Sequence, residues 1–234
     1  MKSEKLTNYL RRCIINEMKS HICNHSEVCK LGEILCETYE EIFYKEYFKN
    51  QFLNVKIEIV SNHIARYLSD SVSNDGVMAI VNIVNSCDID YAKCLILDNI
   101  QDPSNLGAII RSARAFGYNT IFSINSVYPY TFKAIRSSMG YVFDINIIDI
   151  DINHLLELKK LHNLTIISAD MDGVSLDNVD KLSSNYAIVI GNEGQGISNE
   201  ILNNSDLTVS IPMLNGVESL NASVSASILM YNLK

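Results

Sequence analysis

The spacing of apolar positions along the chain changes near residue 90. Before that point apolar residues often recur every three or four positions, which predicts helices across residues 1–50. Alternation over residues 55–59 and a short apolar run over 77–84 predict two strands. We therefore expect residues 1–88 to form a small α/β domain that begins with a helical segment.

Residues 89–234 alternate short apolar runs with helical patterns, which is typical of a parallel α/β sheet covered on both faces. We expect Ser104 or Asn105 to cap the first helix of this part and Gly117 to end it. Strands are predicted over residues 94–97, 120–124, 142–148, 164–168, 186–190 and 207–211. Helices are predicted over residues 105–116, 131–138, 154–161 and 198–203 and after Ser219.

The composition indicates a folded protein with an acidic surface. The chain has 234 residues, of which 47% are hydrophobic and 20% charged, and its formal net charge is −8. An acidic balance argues mildly against non-specific nucleic-acid binding, which requires neutralised phosphates. No apolar stretch reaches the ~18 residues of a membrane span, so no membrane partner is expected. The six cysteines form no CxxC pair, which favours a reduced, cytoplasmic protein.

Four candidate metal ligands cluster near the N-terminus. They are His21, Cys23, His25 and Cys29. Zinc sites pair their ligands at spacings set by tetrahedral geometry, and this cluster matches none of the common ones. We predict no metal site.

Three segments place Gly, Asn or Ser at a predicted junction between a strand and a helix. They are residues 98–117, 188–198 and 211–233. Glycines let the backbone approach a ligand, and free N–H groups at a helix start bind polar groups. The loop GNEGQG has neither the dinucleotide-binding GxGxxG spacing nor a Walker lysine, and it carries Glu193. The three junctions together predict one composite pocket.

Arg111 is the most informative charge in the first of these segments. Its position between Ile110 and Ala113 predicts a partly buried arginine, whereas Arg114 is expected to face solvent. Such an arginine usually binds a carboxylate or a phosphate. The alternative is a structural ion pair of Arg111 with Glu193 or Asp98.

The segments DNIQDPSNLGAIIRSARAFG, IVIGNEGQGIS and IPMLNGVESLNASVSASI resemble the three ordered motifs of the SpoU (TrmH-type) RNA ribose 2′-O-methyltransferases of the SPOUT superfamily. The resemblance covers about residues 93–234, and residues 55–84 resemble the end of the family's N-terminal substrate-binding domain. It implies a C-terminal domain with a deep trefoil knot, S-adenosylmethionine as cofactor and a homodimer formed through the knotted domain. The implied substrate is RNA, most often large-subunit rRNA, with tRNA as the alternative. Ala222 departs from the usual valine without removing a polar group.

The resemblance also implies a set of site residues. The catalytic residues would be Asn105, Arg111, Glu193, Ser219 and Asn221. The cofactor-binding residues would be Ile190, Gly191, Asn192, Gly196, Ile211, Pro212, Met213, Ser219, Leu220 and Asn221. Arg111 would contact the target phosphate and 2′-hydroxyl as base or orienter, Asn105 and Asn221 would hold the ribose or Arg111, and Glu193 would position Arg111 or a backbone turn.

Two other functions remain open from the sequence. A catalytically silent member of the same fold would bind RNA or cofactor without methyl transfer. An unrelated α/β enzyme could bind NAD or ATP at the Gly-rich loop, although the spacings that such loops require are missing.

Overall fold

The computed structural model divides the chain into two compact units, Met1–Val84 and Asn85–Lys234. The structure describes residues 31–36, 56–59, 64, 67, 77–81, 83, 89–179, 182, 185–214 and 219–233. The group of His21, Cys23, His25 and Cys29 lies outside the described residues. So do residues 1–30 and 37–50 of the segment predicted as helical.

Three strands are described in the first unit. They are β1 (Leu31–Cys36), β2 (Lys56–Ile59) and β3 (Val77–Val81), in the order β2-β1-β3. β1 is parallel to β2 and antiparallel to β3. β1 corrects the prediction of helix throughout residues 1–50. It is a short apolar run containing Gly32, which disfavours a helix, and both of its edges are paired in the sheet.

The second unit is built on a six-stranded sheet in which every pairing is parallel. Its strands are β4 (Lys93–Asp98), β5 (Thr120–Ile124), β6 (Asn146–Asp149), β7 (Thr165–Ser175), β8 (Tyr186–Ile190) and β9 (Leu207–Ser210). Their order is β6-β5-β4-β8-β7-β9, so β8 lies between two strands that precede it in the chain. The prediction of a parallel α/β sheet is confirmed.

Five helices are described in this unit. They are α1 (Pro103–Phe116), α2 (Phe132–Ser137), α3 (Ile152–His162), α4 (Asn199–Leu202) and α5 (Ala222–Asn232). Two predicted boundaries were wrong. Asp102, and neither Ser104 nor Asn105, caps α1, because Pro103 occupies the first helical position, where a missing N–H costs nothing. Residues 142–145 are not a strand, since a 3-10 turn over Tyr141–Phe143 precedes β6.

The helices cover both faces of the sheet. Along β4, Leu95 and Leu97 pack into the core shared with α1, α2 and α5, whereas Cys94 and Ile96 pack into the core shared with α3 and α4. Successive strand residues point to opposite faces, which explains why β4 is apolar throughout. No helix in the described part of the chain is long and apolar enough to cross a membrane.

A buried chain of hydroxyl groups ties the end of α5 to the sheet. The Tyr186 hydroxyl donates to the Leu233 carbonyl oxygen, so the Tyr118 hydroxyl must donate to Tyr186, 2.9 Å away. Burial, followed by the contact with Tyr186, raises the pKa of Tyr118 far above its usual value. This connection fixes α5 beside α1, where its first turn forms part of the site.

Candidate active site

A cavity of about 360 Å³ lies at the carboxyl ends of β7, β8 and β9. This volume is within the range of small-molecule sites, roughly 300–1,000 Å³. Eight of the ten predicted cofactor-binding residues line it, and Pro212 and Asn221 do not. The eight are Ile190, Gly191, Asn192, Gly196, Ile211, Met213, Ser219 and Leu220. The structure therefore brings the second and third sequence segments together around one space.

The Gly-rich loop after β8 is a tight turn closed by its own backbone. Asn192 and Gly196 exchange two backbone hydrogen bonds of 3.0 and 2.9 Å, and Gly196 has a φ of +71°. A Cβ on Gly191 would lie 2.5 Å from the Gly196 carbonyl oxygen, so only glycine fits there. The Asn192 side chain makes hydrogen bonds within the loop and to the residue that follows β4. It accepts from the Gly194 and Gln195 amides and donates to the Asn99 carbonyl oxygen.

The last turn of this loop is anchored to the central strand. The Ser198 amide donates to the Asp98 carboxylate at 2.6 Å, and Asp98 is the buried last residue of β4. A hydrogen bond to a charged acceptor is stronger than a neutral one. The loop is thus held at both its beginning, through Asn192, and its end.

The start of α5 closes the cavity from the other side. Asn221 caps the helix, and its side-chain oxygen accepts from the Ser223 amide at 3.0 Å. The two residues before it, Ser219 and Leu220, line the cavity. This agrees with the prediction of a polar helix start at this position. The turn predicted at Asn215-Gly216 lies outside the described residues.

A chain of hydrogen bonds joins the three sequence segments at the rim of the cavity. Asn221 donates to the Asn105 side-chain oxygen at 3.0 Å, and Asn105 in turn donates to the Glu193 carboxylate. Since the Asn105 amide both accepts and donates, its orientation is fixed. Three of the five predicted catalytic residues are therefore in contact through side chains, and a fourth, Ser219, lines the same cavity.

Arg111 is not part of this group within one chain. Six residues at roughly 100° each turn its side chain about 120° away from that of Asn105. It is exposed, so the prediction of partial burial was wrong. The structural ion pair with Glu193 or Asp98 is also absent from the described part of the chain, where Arg111 makes no ion pair or hydrogen bond. Packing of α1 between α2 and α5 leaves this side of the helix open.

The charge of the cavity is one-sided. Asp170 and Glu193 line it, and no lysine, arginine or histidine is among the described residues that do. Sequence reasoning missed Asp170 and its neighbour Met171, which extend β7 beyond the apolar run predicted as a strand. The sequence offered one indication of these residues: they follow a predicted parallel strand, and such residues lie at the ligand-binding edge of a sheet. Among the described residues, no group of three His, Cys, Asp or Glu side chains could hold a metal ion.

The fold and the site together define a parallel α/β protein whose strand-end loops form a small-molecule cavity with an acidic lining. Residues 92–231 match the SpoU rRNA Methylase family, and the chain belongs to that family.

Named relatives match about three fifths of the chain. The chain is 31% identical over 144 residues to 23S rRNA (guanosine(2553)-2′-O)-methyltransferase RlmP of Bacillus subtilis, covering 61% of this chain and 58% of that protein. It is 39% identical over 142 residues to an uncharacterized tRNA/rRNA methyltransferase of Archaeoglobus fulgidus, covering 59% of this chain and 62% of that protein. The match thus spans about three fifths of these relatives' length.

A solved structure shares the fold across most of the chain. The AdoMet-bound rRNA methyltransferase of Sinorhizobium meliloti superimposes with a TM-score of 0.77 at 20% identity, covering 95% of this chain and 84% of that one.

Proposed function

We propose that this protein transfers the methyl group of S-adenosylmethionine to a ribose 2′-hydroxyl of RNA. The observation that carries the proposal is the cavity of about 360 Å³, which two carboxylates line without a cationic side chain among the described residues, and which has the Asn221–Asn105–Glu193 chain at its rim. Membership of the SpoU family supports it, as do the AdoMet in the Sinorhizobium meliloti structure and the 2′-O-methyltransferase activity in the name of RlmP.

The residues of the cavity fit this cofactor. S-adenosylmethionine supplies an electrophilic methyl group on a positively charged sulfur, and it also carries an ammonium group. Asp170 and Glu193 would complement these positive charges, and Ile190, Ile211 and Leu220 would hold the adenine by apolar contact. NAD and ATP carry negative phosphates, which the same carboxylates would repel. The charge of the cavity therefore disfavours the nucleotide-binding alternative.

The polar rim would hold the ribose. Methyl transfer would require the 2′-oxygen to lie in line with the methyl carbon and the sulfur. The hydroxyl must lose its proton as the carbon–oxygen bond forms and the carbon–sulfur bond breaks, with the thioether S-adenosylhomocysteine as the leaving group. Asn105 holds one carboxylate oxygen of Glu193, and the other accepts no hydrogen bond within the described residues. We assign that oxygen, together with Ser219, to the ribose hydroxyls. The proton would pass to an RNA phosphate or to water.

We assign Arg111 to the target phosphate and 2′-hydroxyl, as an orienting group. A guanidinium group holds its proton throughout the ordinary pH range and is therefore a poor base. Because the Arg111 side chain points away from Asn105 in its own chain, it would act on the cavity of a second copy. The site would then be complete only in a homodimer.

A surface on α5 supports the homodimer. The apolar residues of this helix are not confined to one face, as expected for a helix that is covered on more than one side. Yet Val224 is 46% exposed and Tyr231 is 56% exposed in a single chain, and Tyr231 packs edge-on against Phe116 of α1. A second copy that packs against this surface would bury Val224 and Tyr231. It would also place α1 of one chain near the second chain.

The deep trefoil knot belongs to the same proposal. It is supported by the strand order, in which β8 lies between β4 and β7, and by the return of α5 to pack against α1 beside β4. A knotted chain of this kind would hold the loops after β8 and β9 against each other and so keep the cavity in shape without a bound ligand.

Ribosomal RNA of the large subunit is the substrate that we propose, with the cytoplasm as its location. The name of RlmP specifies 23S rRNA, whereas tRNA is the alternative in the names of other relatives. Residues 1–88 would form the substrate-binding domain, which is supported by the 95% coverage of this chain in the superposition on the rRNA methyltransferase. Mapping ribose methylation in cells with and without the gene would identify the nucleotide.

The direct test combines calorimetry with S-adenosylmethionine and tritiated methyl transfer to total RNA from cells without the gene. Arg111→Ala should bind the cofactor normally and lose about 100-fold or more in transfer, a magnitude typical of losing one preorganised charged contact. Lys160→Ala is the control, since it removes an exposed cation from α3, on the opposite face of the sheet. Cofactor binding by the wild type without transfer to any RNA would instead favour the catalytically silent member.

Subunit mixing tests where Arg111 acts. Arg111→Ala and Glu193→Gln subunits are each inactive in this scheme, but an equal mixture should recover about a quarter of wild-type activity, because half of the dimers are mixed and each has one intact site. If Arg111 served the cavity of its own chain, both sites of a mixed dimer would be defective and the mixture would stay inactive.

A further inference from the structure

The strongest feature outside the cavity is a basic and aromatic surface formed by the loop after β5, α2 and the adjoining side of α1. Residues 103–143 contain four cationic side chains and no Asp or Glu, although the whole chain has a net charge of −8. The four are Arg111, Arg114, Lys133 and Arg136. Lys133 pairs with Asp102 at 3.0 Å and Arg114 with Asp144 at 3.7 Å, whereas Arg111 and Arg136 make no ion pair with a described residue. A local concentration of positive charge on an acidic protein indicates a polyanionic partner.

Aromatic side chains stand among these charges. Tyr128 is 59% exposed and Phe132 is 63% exposed. The Tyr128 ring meets Tyr130 at an interplanar angle of 63° and a centroid distance of 5.5 Å, and Tyr130 packs on Phe143. Tyr128 is thus supported from one side while most of its surface stays open. An exposed aromatic ring beside cations is the surface on which unpaired bases stack.

The loop that carries Tyr128 has a fixed backbone. The Val127 amide donates to the Ile100 carbonyl oxygen at 2.8 Å, and the Ile100 amide donates to the Ser126 hydroxyl at 2.8 Å. A ring presented on a held loop loses little conformational freedom when a ligand binds. The exposure of Tyr128 therefore does not result from a loose loop.

This surface is continuous with the cavity. Gln195, which lines the cavity, accepts from the Asn99 side chain at 3.3 Å, and Asn99 accepts from Gln101 at 2.7 Å. Gln101 also donates to the carbonyl oxygen of Asn125, three residues before Tyr128. A strand with one ribose at the cavity could continue over Tyr128 within a few nucleotides.

The other part of this surface is formed by α1 and α2, which are in contact. A Cβ on Gly107 would lie 2.6 Å from the Ala134 carbonyl oxygen, so the two helices touch there, and Arg114 pairs with Asp144 at the end of the following 3-10 turn. Gly107, Arg111 and Arg114 follow the i, i+4, i+7 spacing of one helix face. Arg111 consequently lies on the exposed side of α1 next to the contact at Gly107, and Arg136 is exposed on α2.

We propose that this surface binds the unpaired RNA strand that flanks the methylated nucleotide, with bases stacked on Tyr128 and Phe132 and a phosphate on Arg136. The inference rests on the proposed function, because it takes RNA as the substrate. Stacking requires open bases, so the surface would select a single-stranded target over a duplex.

The test is fluorescence anisotropy with a labelled single-stranded oligoribonucleotide of about 12 nucleotides, within the site sizes known for such surfaces. Tyr128→Ala and Phe132→Ala should each weaken binding about 5- to 100-fold, and Tyr128→Phe should bind like the wild type. Arg136→Gln should reduce the slope of log K against log salt by about 0.7. Leu161→Ala is the matched control, because Leu161 is 76% exposed on α3, on the opposite face of the sheet.

Calorimetric binding of S-adenosylmethionine should be unchanged in all of these variants. Binding losses no larger than that of Leu161→Ala would overturn the inference, and so would equal binding of the same sequence as a duplex. A change in oligomeric state without a change in RNA binding would show that the surface meets a second copy instead. If the wild type bound the oligonucleotide through Tyr128 but methylated no RNA, the proposed function would fail and this surface would stand.

Discussion

The close approach of Gly191 to Gly196 makes a quantitative prediction. A Cβ at Gly191 would lie 2.5 Å from the Gly196 carbonyl oxygen and 2.5 Å from the Ile197 nitrogen. Ordinary non-bonded contacts need about 3.5 Å, so Gly191→Ala must push the two backbone segments about 1 Å apart. That movement would break the two hydrogen bonds between Asn192 and Gly196, which are 3.0 and 2.9 Å long.

The expected cost follows from these contacts. Two backbone hydrogen bonds contribute about 0.5–1.5 kcal/mol each, and the loop can relax by part of the movement. We expect the free energy of unfolding of Gly191→Ala to fall by about 2–3 kcal/mol, within the usual range for overpacking. For a unit of this size, that corresponds to a melting temperature about 5–10 °C lower. Affinity for S-adenosylmethionine should fall at least tenfold, since the moved backbone is a wall of the cavity.

Two other glycines of the same loop provide matched comparisons. A Cβ on Gly194 would meet only the Asn192 side-chain oxygen at 3.6 Å, so Gly194→Ala should change stability by less than ~0.5 kcal/mol. A Cβ on Gly196 would meet nothing within 4 Å, but its φ of +71° strains any other residue by about 1–2 kcal/mol.

Urea unfolding and calorimetry should therefore rank the three alanine variants, from most to least damaging, as Gly191, Gly196 and Gly194. Equal stability of the Gly191 and Gly194 variants would refute the close approach. Lost stability with unchanged cofactor affinity would refute the assignment of the loop to the cavity.

Three further predictions concern the packing and charge of the second unit. Gly107→Ala should lower the free energy of unfolding by about 1–3 kcal/mol in urea, because its Cβ would meet α2. Burial, and then the nearby Asp90, raises the pKa of the Cys94 thiol to about 12. The native state therefore holds this proton more tightly than the unfolded chain does. Its stabilisation is complete below pH ~9 and is lost between pH ~9 and ~12, by at most about 1.4 kcal/mol per pH unit. Urea unfolding at rising pH should show this loss, and Cys94→Ala should reduce it. Asn221→Ala should cost about 1 kcal/mol as a lost helix cap, with a larger loss of methyl transfer than of cofactor affinity.

Much of the second unit could be predicted because its elements are strongly patterned. The buried runs of β5 and β8 were found with their observed boundaries, and the loops that form the cavity were found from Gly and Asn at strand ends. Asp170 could not be found in this way, because it lies between Ala169 and Val174, where the register of β7 against β9 shifts. That pairing is a contact between distant residues, which no local pattern records.

The errors have a similar origin. Arg111 lies between apolar neighbours in the sequence, but its exposure depends on where α2 and α5 pack around α1. The apolar run of β1 is short enough to fit the period of a helix as well as that of a strand. Its pairing with β2 and β3 on both sides makes it a strand. In both cases tertiary packing decided what the local sequence left ambiguous.

The position of β8 has a consequence for biosynthesis. β7 pairs with β8 and β9, both of which are made after it, so the first half of the sheet to assemble contains only β4, β5 and β6. Until residues 186–190 leave the ribosome, β4 presents an unpaired edge and the apolar β7 has no neighbour. Exposed strand edges invite association with other chains, and pairings between distant segments form slowly. Refolding from denaturant should accordingly be limited by the insertion of β8 between β4 and β7. The yield of refolded protein should fall as protein concentration rises, because unpaired strand edges of different chains associate.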